Sequence, residues 1–279
     1  MKHMSADQTD KANHFRALHT APGTFLIANV WDGGSARILS GLGFQALATS
    51  SAASAGTLGR LDGQVTRDEA FSQARLIAGS TDLPVSADLE NGFGHEPSFV
   101  AETIRLAGTT GLVGASIEDA TGDDSRPLYD LGQATERVAA AVEAARALPF
   151  TFTLTARAEN FLRGNPSLED TIRRLQAFER AGADVLFAPG LPDLAAVRTV
   201  CSAVSKPVNF MVGMRGKSFT VPELAEAGVK RISLSTSLYR AAMSGLIAAA
   251  REARQQGTFG FVESAVSSGD LAAFLSGTK

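Results

Sequence analysis

Two carboxylates stand two residues apart in the stretch PVSADLENGFG, which runs from Pro84 to Gly94. The stretch begins as an apolar run and, after Asp88 and Glu90, turns into Asn91-Gly92-Phe93-Gly94. A strand that ends in this way presents both acids at its carboxyl tip, and the glycines allow the backbone to turn away sharply. Neighbouring carboxylates repel each other, and a cation or a strong donor between them favours the ionised form. The stretch therefore predicts either a site for a hard metal ion or an unusually acidic loop.

The elements that would position these acids form a regular series. Eight short apolar runs alternate with helical patterns, which indicates a parallel sheet with crossover helices. Eight such units in about 250 residues fit a closed (β/α)8 barrel of the TIM type. An open doubly wound sheet is the alternative, but the turn after the first strand reads Trp31-Asp32-Gly33-Gly34-Ser35 and lacks the usual Gly-x-Gly-x-x-Gly. The predicted strands cover residues 24–29, 44–50, 84–90, 112–119, 150–159, 184–190, 206–213 and 230–236.

The sequence between these elements contains no linker, repeat or low-complexity segment. We therefore expect residues 1–279 to form a single barrel domain. Residues 51–64 are predicted to form a long loop after the second strand. Residues 237–279 are predicted to form C-terminal helices, an Ala-rich one from about Leu238 to Gln256 and an amphipathic segment from about Phe261 to Phe274.

The alternation of side chains along each strand selects the residues that face the barrel interior. In the third strand the apolar positions 85, 87 and 89 should meet the helices, which turns Asp88 and Glu90 inward. In the fourth strand the same alternation selects Glu118 rather than its neighbour Asp119, and in the fifth it selects Arg157. Since barrel enzymes work at the carboxyl ends of their strands, these side chains are predicted to surround one mouth. The alternative is a set of ordinary solvated charges at strand tips.

The other residue types narrow the chemistry of this mouth. Acidic oxygens without a histidine cluster favour Mg²⁺, with Mn²⁺ as a second possibility, over zinc. Only His95 of the four histidines lies near the mouth, and Lys206 and Lys230 lie at strand starts, which disfavours a Schiff-base aldolase. The chain has no Gly-x-Ser-x-Gly elbow for a serine hydrolase. The loop at residues 213–218 is either a polar turn or a loop that binds a phosphate group.

Composition excludes several further classes of function. The net charge of −3 and the absence of a long basic block argue against nucleic acid as a partner. No apolar run approaches the roughly 18 residues of a membrane span, and the N-terminal residues lack the apolar core of a secretory signal. Cys201 is the only cysteine, so an internal disulfide cannot form, and we expect a reducing cytoplasm. Cys201 lies in a helical pattern and is predicted to be a buried, inert thiol.

Eight short segments, taken in order, resemble the isocitrate lyase/phosphoenolpyruvate mutase superfamily. The resemblance extends from about Phe25 to Gly257, and each segment alone would be weak evidence. The matching segments are Asn29–Asp32, Thr49–Ser51, Leu58–Gly63, Ala87–Gly94, Ser116–Asp119, Ala156–Glu159, Ala181–Asp184 and Pro207–Asn209.

The resemblance implies a (β/α)8 barrel that assembles as a homo-oligomer, commonly a dimer of dimers in which the last barrel helix is exchanged between subunits. It implies a Mg²⁺ ion held partly through waters by Asp88, Glu90 and Glu118, with Asp62 nearby. It further implies substrates that are small 2-oxo or 2-hydroxy carboxylic acids. Members of the superfamily make or break C–C or C–P bonds next to an enolpyruvate.

The residues at the mouth agree with such chemistry. A 2-oxo acid can chelate the ion through its keto oxygen and carboxylate, and the ion then acts as a Lewis acid. Arg157 would be a fixed cation for the substrate carboxylate or the enolate, so it is a candidate for both catalysis and substrate binding. Asp62 and Glu118 are the other catalytic candidates. The predicted substrate-binding residues also include Ser50, Ser51, Ala52 and Asn209.

The chain also departs from named members of the superfamily. The lyases carry a Lys-Lys-Cys-Gly-His stretch after the fourth strand, whereas residues 120–127 here contain no Cys, Lys or His. Where the mutase has histidine after the sixth strand, this chain has Phe187–Gly190, and Glu90 stands where the mutase has Asp. Decarboxylation of an oxaloacetate-like acid does not need a loop acid, so it is the favoured reaction. The alternatives are mutase- or hydrolase-type C–P chemistry on phosphonopyruvate or phosphoenolpyruvate, and a carboxylate-binding barrel without turnover.

Overall fold

Eight parallel strands close into a barrel in the computed structural model, which describes residues 7–278. The strands follow one another around the barrel in sequence order, and the last pairs with the first. This confirms the predicted (β/α)8 architecture. The strands are β1 (Phe25–Val30), β2 (Leu47–Thr49), β3 (Val85–Asp88), β4 (Gly114–Glu118), β5 (Thr153–Arg157), β6 (Val185–Phe187), β7 (Val208–Met211) and β8 (Arg231–Ser233).

The helices fall between the strands as the apolar periodicity predicts, with one correction. The predicted loop at residues 51–64 begins with a helix, because Ser50 caps it by accepting a hydrogen bond from the main-chain N–H of Ala53. The helices are α1 (Gln8–Thr20), α2 (Gly33–Gly41), α3 (Ser51–Thr57), α4 (Arg67–Ala78), α5 (Pro97–Gly108), α6 (Leu131–Arg146), α7 (Leu168–Arg180), α8 (Leu194–Ala203), α9 (Val221–Glu226), α10 (Ser237–Gln256) and α11 (Ser268–Ser276).

The apolar side of each strand meets the surrounding helices. Positions 85, 87 and 89 of the third strand segment are buried in one cluster with helix residues such as Phe71 and Ile104. Positions 154 and 156 of β5 are likewise buried, as the alternation predicts. Burying these side chains is the main favourable contribution to folding, and it leaves the alternate, more polar positions of each strand facing the barrel interior.

Helix α1 closes the amino-terminal end of the barrel. Its Phe15 and Leu18 are buried against Phe25 and Ile27 of β1. Gly114 begins β4 beside the ring of Phe15, and a Cβ atom there would lie 2.7 Å from the carbonyl of Thr153. The amino-terminal end is therefore packed with side chains, and the opposite, carboxyl end is open.

The C-terminal helices lie apart from the barrel core. None of the residues of α10 is buried, and its Leu246 and Ile247 are exposed. Helix α11 returns to α2, where Arg37 Nη1 donates to the carbonyl of Leu275 at 2.7 Å. Within residues 7–278, no helix combines the length and apolar character needed to cross a lipid bilayer.

The side chain of Cys201 is half-buried, so it is less buried than predicted. It lies on α8 next to Gly228, where the chain turns toward β8, and it contacts one of the apolar clusters. Burial still raises the pKa of Cys201 to about 11, which keeps the thiol protonated at neutral pH.

Candidate active site

Arg157 is the centre of the carboxyl-terminal mouth. It ends β5 directly beside Glu118, the last residue of β4, with which it is in register. Its guanidinium forms ion pairs with three carboxylates: Asp88 at 3.0 Å, Glu118 at 3.1 Å and Glu159 at 2.8 Å. The guanidinium carbon also lies 5.1 Å from the centroid of the Phe187 ring. The alternation argument therefore correctly brought Asp88, Glu118 and Arg157 together.

The charges at this mouth shift one another's protonation. Burial alone would lower the pKa of Arg157, but the three carboxylates overcome that effect and hold it well above its ordinary value. Burial raises the pKa of Glu118, and the neighbouring Glu159 raises it further. Burial likewise raises the pKa of Glu159, although Arg157 opposes the shift. Arg157 thus contacts three acidic groups, and among them only Glu118 pairs with a further basic residue, Arg163. An additional cation nearby would therefore favour their ionised forms.

Asp88 is fixed by several donors besides Arg157. Ser51 donates to its Oδ2 at 3.2 Å, and Ser116 donates to its Oδ1 at 3.4 Å. Its main-chain N–H donates to Thr49 Oγ1 at 3.0 Å, which ties the tip of β3 to the tip of β2. These contacts hold the carboxylate at the edge of the central chamber with only part of its surface exposed.

Glu90 does not face the barrel interior as predicted. Strand β3 ends at Asp88, and Glu90 adopts a left-handed backbone conformation with φ of 50°. Alternation no longer applies beyond the strand, so the side chain of Glu90 lines the outer vestibule instead of the chamber. Burial, followed by repulsion from Asp88, raises the pKa of Glu90 to about 8, and Asp62 and Glu118 contribute in the same direction. Glu90 therefore lies close to the other predicted acids, but on the vestibule side and not in the chamber.

Two cavities meet at this mouth. The inner chamber has a volume of about 190 Å³ and is lined by the predicted residues Ser50, Ser51, Ala52, Asp62, Asp88, Arg157 and Asn209. An open vestibule of about 1000 Å³ lies outside it and is lined by Glu90, Glu118, His95 and Arg163, among others, and shares Ser51, Asp62 and Arg157 with the chamber. The predicted site residues therefore divide between a chamber sized for a small molecule and the entrance to it.

The first turn of α3 forms one wall of the chamber. Ser50 is its buried cap, and Ser51 and Ala52 are partly exposed to the cavity. Asp62 follows on the exposed turn after α3 and reaches both cavities. The small side chains predicted to permit a close approach thus belong to a helix start and not to an irregular loop.

The floor of the chamber contains an arginine that sequence reasoning missed. Asn209 is buried in β7, where it accepts a hydrogen bond from Arg231 Nε at 2.7 Å and donates to Ser233 Oγ at 3.0 Å. Both Arg231 and Ser233 line the chamber. Alternation in β8 could have found them, because the buried Ile232 between them faces the helices.

A second set of ion pairs supports the mouth from behind. Asp119 faces the helices, as alternation predicts, and pairs with Arg174 of α7 at 3.0 Å while accepting from the main-chain N–H of Glu159 at 2.8 Å. Arg163 lies in the loop after β5 and was not selected from the sequence. It forms an ion pair with Glu118 at 3.2 Å. These contacts fix the tips of β4 and β5 relative to each other.

The loop after β4 is held by its own polar groups. Thr121 Oγ1 donates to the carbonyl of Arg126 at 2.6 Å, and Asn91 donates to the carbonyl of Thr121 at 3.2 Å. Behind it, Arg137 donates to the carbonyls of Asn91, Gly94 and His95. The loop therefore lies beside the vestibule with hydroxyl, carboxylate and guanidinium groups but without a thiol, lysine or imidazole.

The acidic residues fit a magnesium ion that keeps part of its water shell. Among residues 7–278, no three His, Cys, Asp or Glu side chains converge closely enough to hold an ion by themselves. Mg²⁺ is usually bound through one or two carboxylates and several waters. Asp88 and Asp62 both line the chamber, and of these two only Asp88 contacts Arg157. Burial is the main cause of the raised pKa of Glu90, and repulsion from Asp88, Asp62 and Glu118 adds to it. Asp88 would therefore hold the ion, with Glu90, Glu118 and Asp62 acting through waters.

Comparison with known proteins agrees with this geometry. The sequence profile of the family described as phosphoenolpyruvate phosphomutase matches residues 15–254. An oxaloacetate decarboxylase of Bradyrhizobium diazoefficiens is 30% identical over 78% of this chain and 76% of its own. A 2-methylisocitrate lyase of Escherichia coli K12 is 29% identical over 91% of this chain and 88% of its own.

A solved structure is also similar over almost the whole chain. It is that of a protein of Burkholderia cenocepacia J2315 that is provisionally named a lyase/mutase. The two chains are 51% identical, superpose with a TM-score of 0.94, and each is covered to 96%.

Proposed function

The chain belongs to the isocitrate lyase/phosphoenolpyruvate mutase superfamily, and from that membership we propose that it is a Mg²⁺-dependent lyase of small 2-oxo or 2-hydroxy carboxylic acids. Its relatives are named lyases and mutases, which supports enzymatic cleavage of a bond in a small acid. The proposed bond is C–C, the intermediate is of the enolpyruvate type, and the favoured reaction is the decarboxylation of oxaloacetate.

The observation that carries the proposal is the contact set of Asp88 at the edge of the chamber. Its carboxylate is held by Ser51, Ser116 and Arg157 and faces a cavity of about 190 Å³. A chamber of this volume suits an acid of a few carbon atoms.

The cofactor proposed here is Mg²⁺, with Mn²⁺ as the substitute. When bound beside Asp88, it supplies Lewis acidity that polarises the 2-oxo group of the substrate. Arg157 lies within reach of the same position and offers a permanent positive charge to the enolate oxygen. Ser50, Ser51 and Ala52 would orient the adjacent carboxylate from the first turn of α3.

Decarboxylation places few further demands on the protein. The bond between the third and fourth carbons breaks, its electron pair moves toward the 2-oxo group to form the enolate, and the fourth carbon leaves as CO₂. A proton then adds to the third carbon and gives pyruvate. The open vestibule supplies that proton from solvent, so the absence of Cys, Lys and His from residues 120–127 is compatible with the reaction.

A substrate panel tests this proposal. Purified full-length protein with Mg²⁺ would be offered oxaloacetate, 2-methylisocitrate, phosphonopyruvate and 2,3-dimethylmalate, and each product would be measured. We expect Mg²⁺-dependent pyruvate from oxaloacetate above the rate of Mg²⁺ alone. Turnover of phosphonopyruvate instead would show C–P chemistry. Tight binding of oxalate without turnover of any acid would show a carboxylate-binding barrel.

We also propose that the protein self-associates through residues 237–279, as a dimer of dimers. The exposed Leu246 and Ile247 of α10, together with the absence of buried residues in that helix, support an exchange of the helix between subunits. Sedimentation equilibrium of the full chain would show a tetramer, whereas a stable monomer would contradict the exchange. The proposed location is the cytoplasm, which the presence of a single cysteine supports.

A further inference from the structure

Arg231 is a buried cation held only by neutral groups. It begins β8 and is 5% exposed. Its Nε donates to Asn209 Oδ1 at 2.7 Å, and its Nη2 donates to Thr155 Oγ1 at 3.0 Å. Its Nη1 lies 3.3 Å from His19 Nε2. None of these partners carries a negative charge.

The histidine among these partners is neutral. His19 Nδ1 lies 2.8 Å from the carbonyl of Phe15, which requires that this nitrogen carries the proton. Burial, followed by the charge of Arg231, lowers the pKa of His19 to about 3. At neutral pH its Nε2 is therefore an acceptor for the guanidinium, and it adds no charge of either sign.

Among residues 7–278, no carboxylate forms an ion pair with Arg231. Every Asp and Glu side chain that forms an ion pair within residues 7–278 does so with another basic residue. Burial lowers the pKa of Arg231 to about 9, so it stays charged at neutral pH. A buried cation without an anion is costly to keep in a fold, and this cost is reduced when an anionic ligand binds next to it.

Arg231 also borders the candidate substrate chamber. Arg231 lines the same chamber as Asp88 and Arg157, together with Asn209 and Ser233. An arginine has five N–H donors, and three of them face the neutral partners described above. Two of its N–H donors have no partner among these three contacts, and the donors of an arginine suit a carboxylate because they lie in one plane.

Resting on the lyase function proposed above, we infer that Arg231 binds the carboxylate of the substrate that lies farthest from the 2-oxo or 2-hydroxy group. The chamber then selects dicarboxylic acids over monocarboxylic acids of the same shape. The 2-oxo end lies at the mouth beside Asp88 and Arg157, and the distal carboxylate lies at the floor between Arg231 and Ser233.

This arrangement has a kinetic consequence for decarboxylation. The distal carboxylate of oxaloacetate is the group that leaves as neutral CO₂, so its attraction to Arg231 is strongest before the bond breaks. An interaction of the ground state lowers KM without raising kcat. Replacing Arg231 with an apolar residue should therefore raise KM for oxaloacetate while kcat does not fall.

The binding test compares two acids that differ only at the distal group. Malate carries a carboxylate where 2-hydroxy-4-methylpentanoate carries an isopropyl group of the same branching, and neither can be decarboxylated as a 2-oxo acid. Calorimetry of the full-length protein with Mg²⁺ would give both Kd values. We expect the wild type to bind malate at least about tenfold more tightly, since charged hydrogen bonds to arginine are strong. A wild-type ratio near one would overturn the inference.

Three variants separate charge from structure. Arg231→Met should bring the ratio of the two Kd values to about one, and Arg231→Lys should retain a preference for malate. Arg146→Met is the matched control, because Arg146 pairs with Asp184 outside the chamber, and it should keep the wild-type ratio. If Arg231→Met retains the preference, Arg231 does not bind the distal group.

Measurements of folding and turnover distinguish a failure of the Arg231 inference from a failure of the lyase proposal. Circular dichroism would show which variants fold. If Arg231→Met does not fold, the wild-type ratio and the Arg231→Lys ratio decide the question. In Arg231→Met, a KM for oxaloacetate about tenfold higher with undiminished kcat supports the inference, whereas a purely structural role would lower kcat. Turnover of oxaloacetate without a preference for malate would refute the role of Arg231 alone. A preference for malate without any turnover would refute the lyase function alone.

Discussion

The barrel interior contains two buried arginines in opposite surroundings. Arg157 at the mouth contacts three carboxylates, and these hold its pKa well above the ordinary value. Arg231 at the floor contacts only uncharged partners, and burial lowers its pKa to about 9. The mouth has more acidic groups than basic partners, and the floor has an uncompensated positive charge. The difference indicates which ligand each end accepts: a cation at the mouth and an anion at the floor.

A single small acid with a divalent ion would satisfy both ends at once. The ion would balance the acids around Asp88, and a distal carboxylate would balance Arg231. Neither end is explained by packing, since an apolar side chain in either place would avoid the cost of burying charge. The polarity of the chamber is therefore best understood as complementarity to a ligand.

The largest effect is expected from removing the acid that faces the chamber. Asp88→Ala should lower Mg²⁺-dependent turnover by more than about a hundredfold, because even residues that only support a metal ligand contribute about 10- to 100-fold. The fold should survive, since Arg157 keeps Glu118 and Glu159 as partners. Steady-state kinetics and calorimetry with Mg²⁺ would measure the loss. Asp124→Ala, an exposed acid on the loop after β4, is the control, and full activity in Asp88→Ala would refute the metal assignment.

Removing the cation at the mouth should reduce stability in addition to turnover. Arg157→Met leaves Asp88, Glu118 and Glu159 without their shared partner, and breaking a buried ion pair in this way costs about 3–5 kcal/mol. Urea unfolding at neutral pH would measure the change in the free energy of unfolding. The control is Arg105→Met, which breaks an exposed pair with Glu102 and should cost less than about 1 kcal/mol. Equal losses in the two variants would show that the carboxylates do not depend on Arg157.

The residues at the mouth could be predicted from the sequence more readily than those at the floor. Strict alternation within β3, β4 and β5 was enough to place Asp88, Glu118 and Arg157 together. The same rule failed for Glu90, because the strand ends two residues earlier and a left-handed turn redirects the side chain. Arg231 was overlooked, although alternation with the outward-facing Ile232 predicts that it faces inward. It was overlooked because it lies at the start of its strand, and the site was expected at the carboxyl tips.

Other differences have local causes. Helix α3 was missed because SAASAGT consists of small residues and shows no apolar period, so only the cap at Ser50 identifies it. The division of the acids between chamber and vestibule depends on where each strand ends. Such boundaries are set by tertiary contacts, which a single sequence does not display.

A smaller effect concerns the histidine below Arg231. The pKa of His19 is about 3 in the folded protein and about 6.5 in the unfolded chain, so between these values only the unfolded chain binds the proton. Stability should therefore fall as the pH drops from about 6.5 toward 3, and at pH 5 the loss due to His19 is about 2 kcal/mol. Urea unfolding at pH 7 and pH 5 should show a shallower decline in His19→Gln. The exposed His14→Gln is the control, and identical slopes in all three proteins would contradict a neutral His19.

The smallest effect is expected outside both regions. Cys201 lies on α8, is not among the residues that line the chamber, and has a pKa raised by burial to about 11. Cys201→Ser should leave kcat/KM within about twofold, since changes away from the site and its supports are usually small. Steady-state kinetics would check this, and a large loss of rate would place reactive chemistry outside the mouth.

The most direct test of the account is an anomalous scattering map from crystals grown with Mn²⁺ and oxalate. The ion would mark the metal position, and oxalate would represent the 2-oxo acid end of a substrate. We predict a peak at the mouth, within bonding distance of Asp88 or of waters that Asp88 and Glu118 hold, with oxalate completing its shell beside Arg157. A peak elsewhere in the protein, or oxalate bound at the mouth without any metal, would contradict the account.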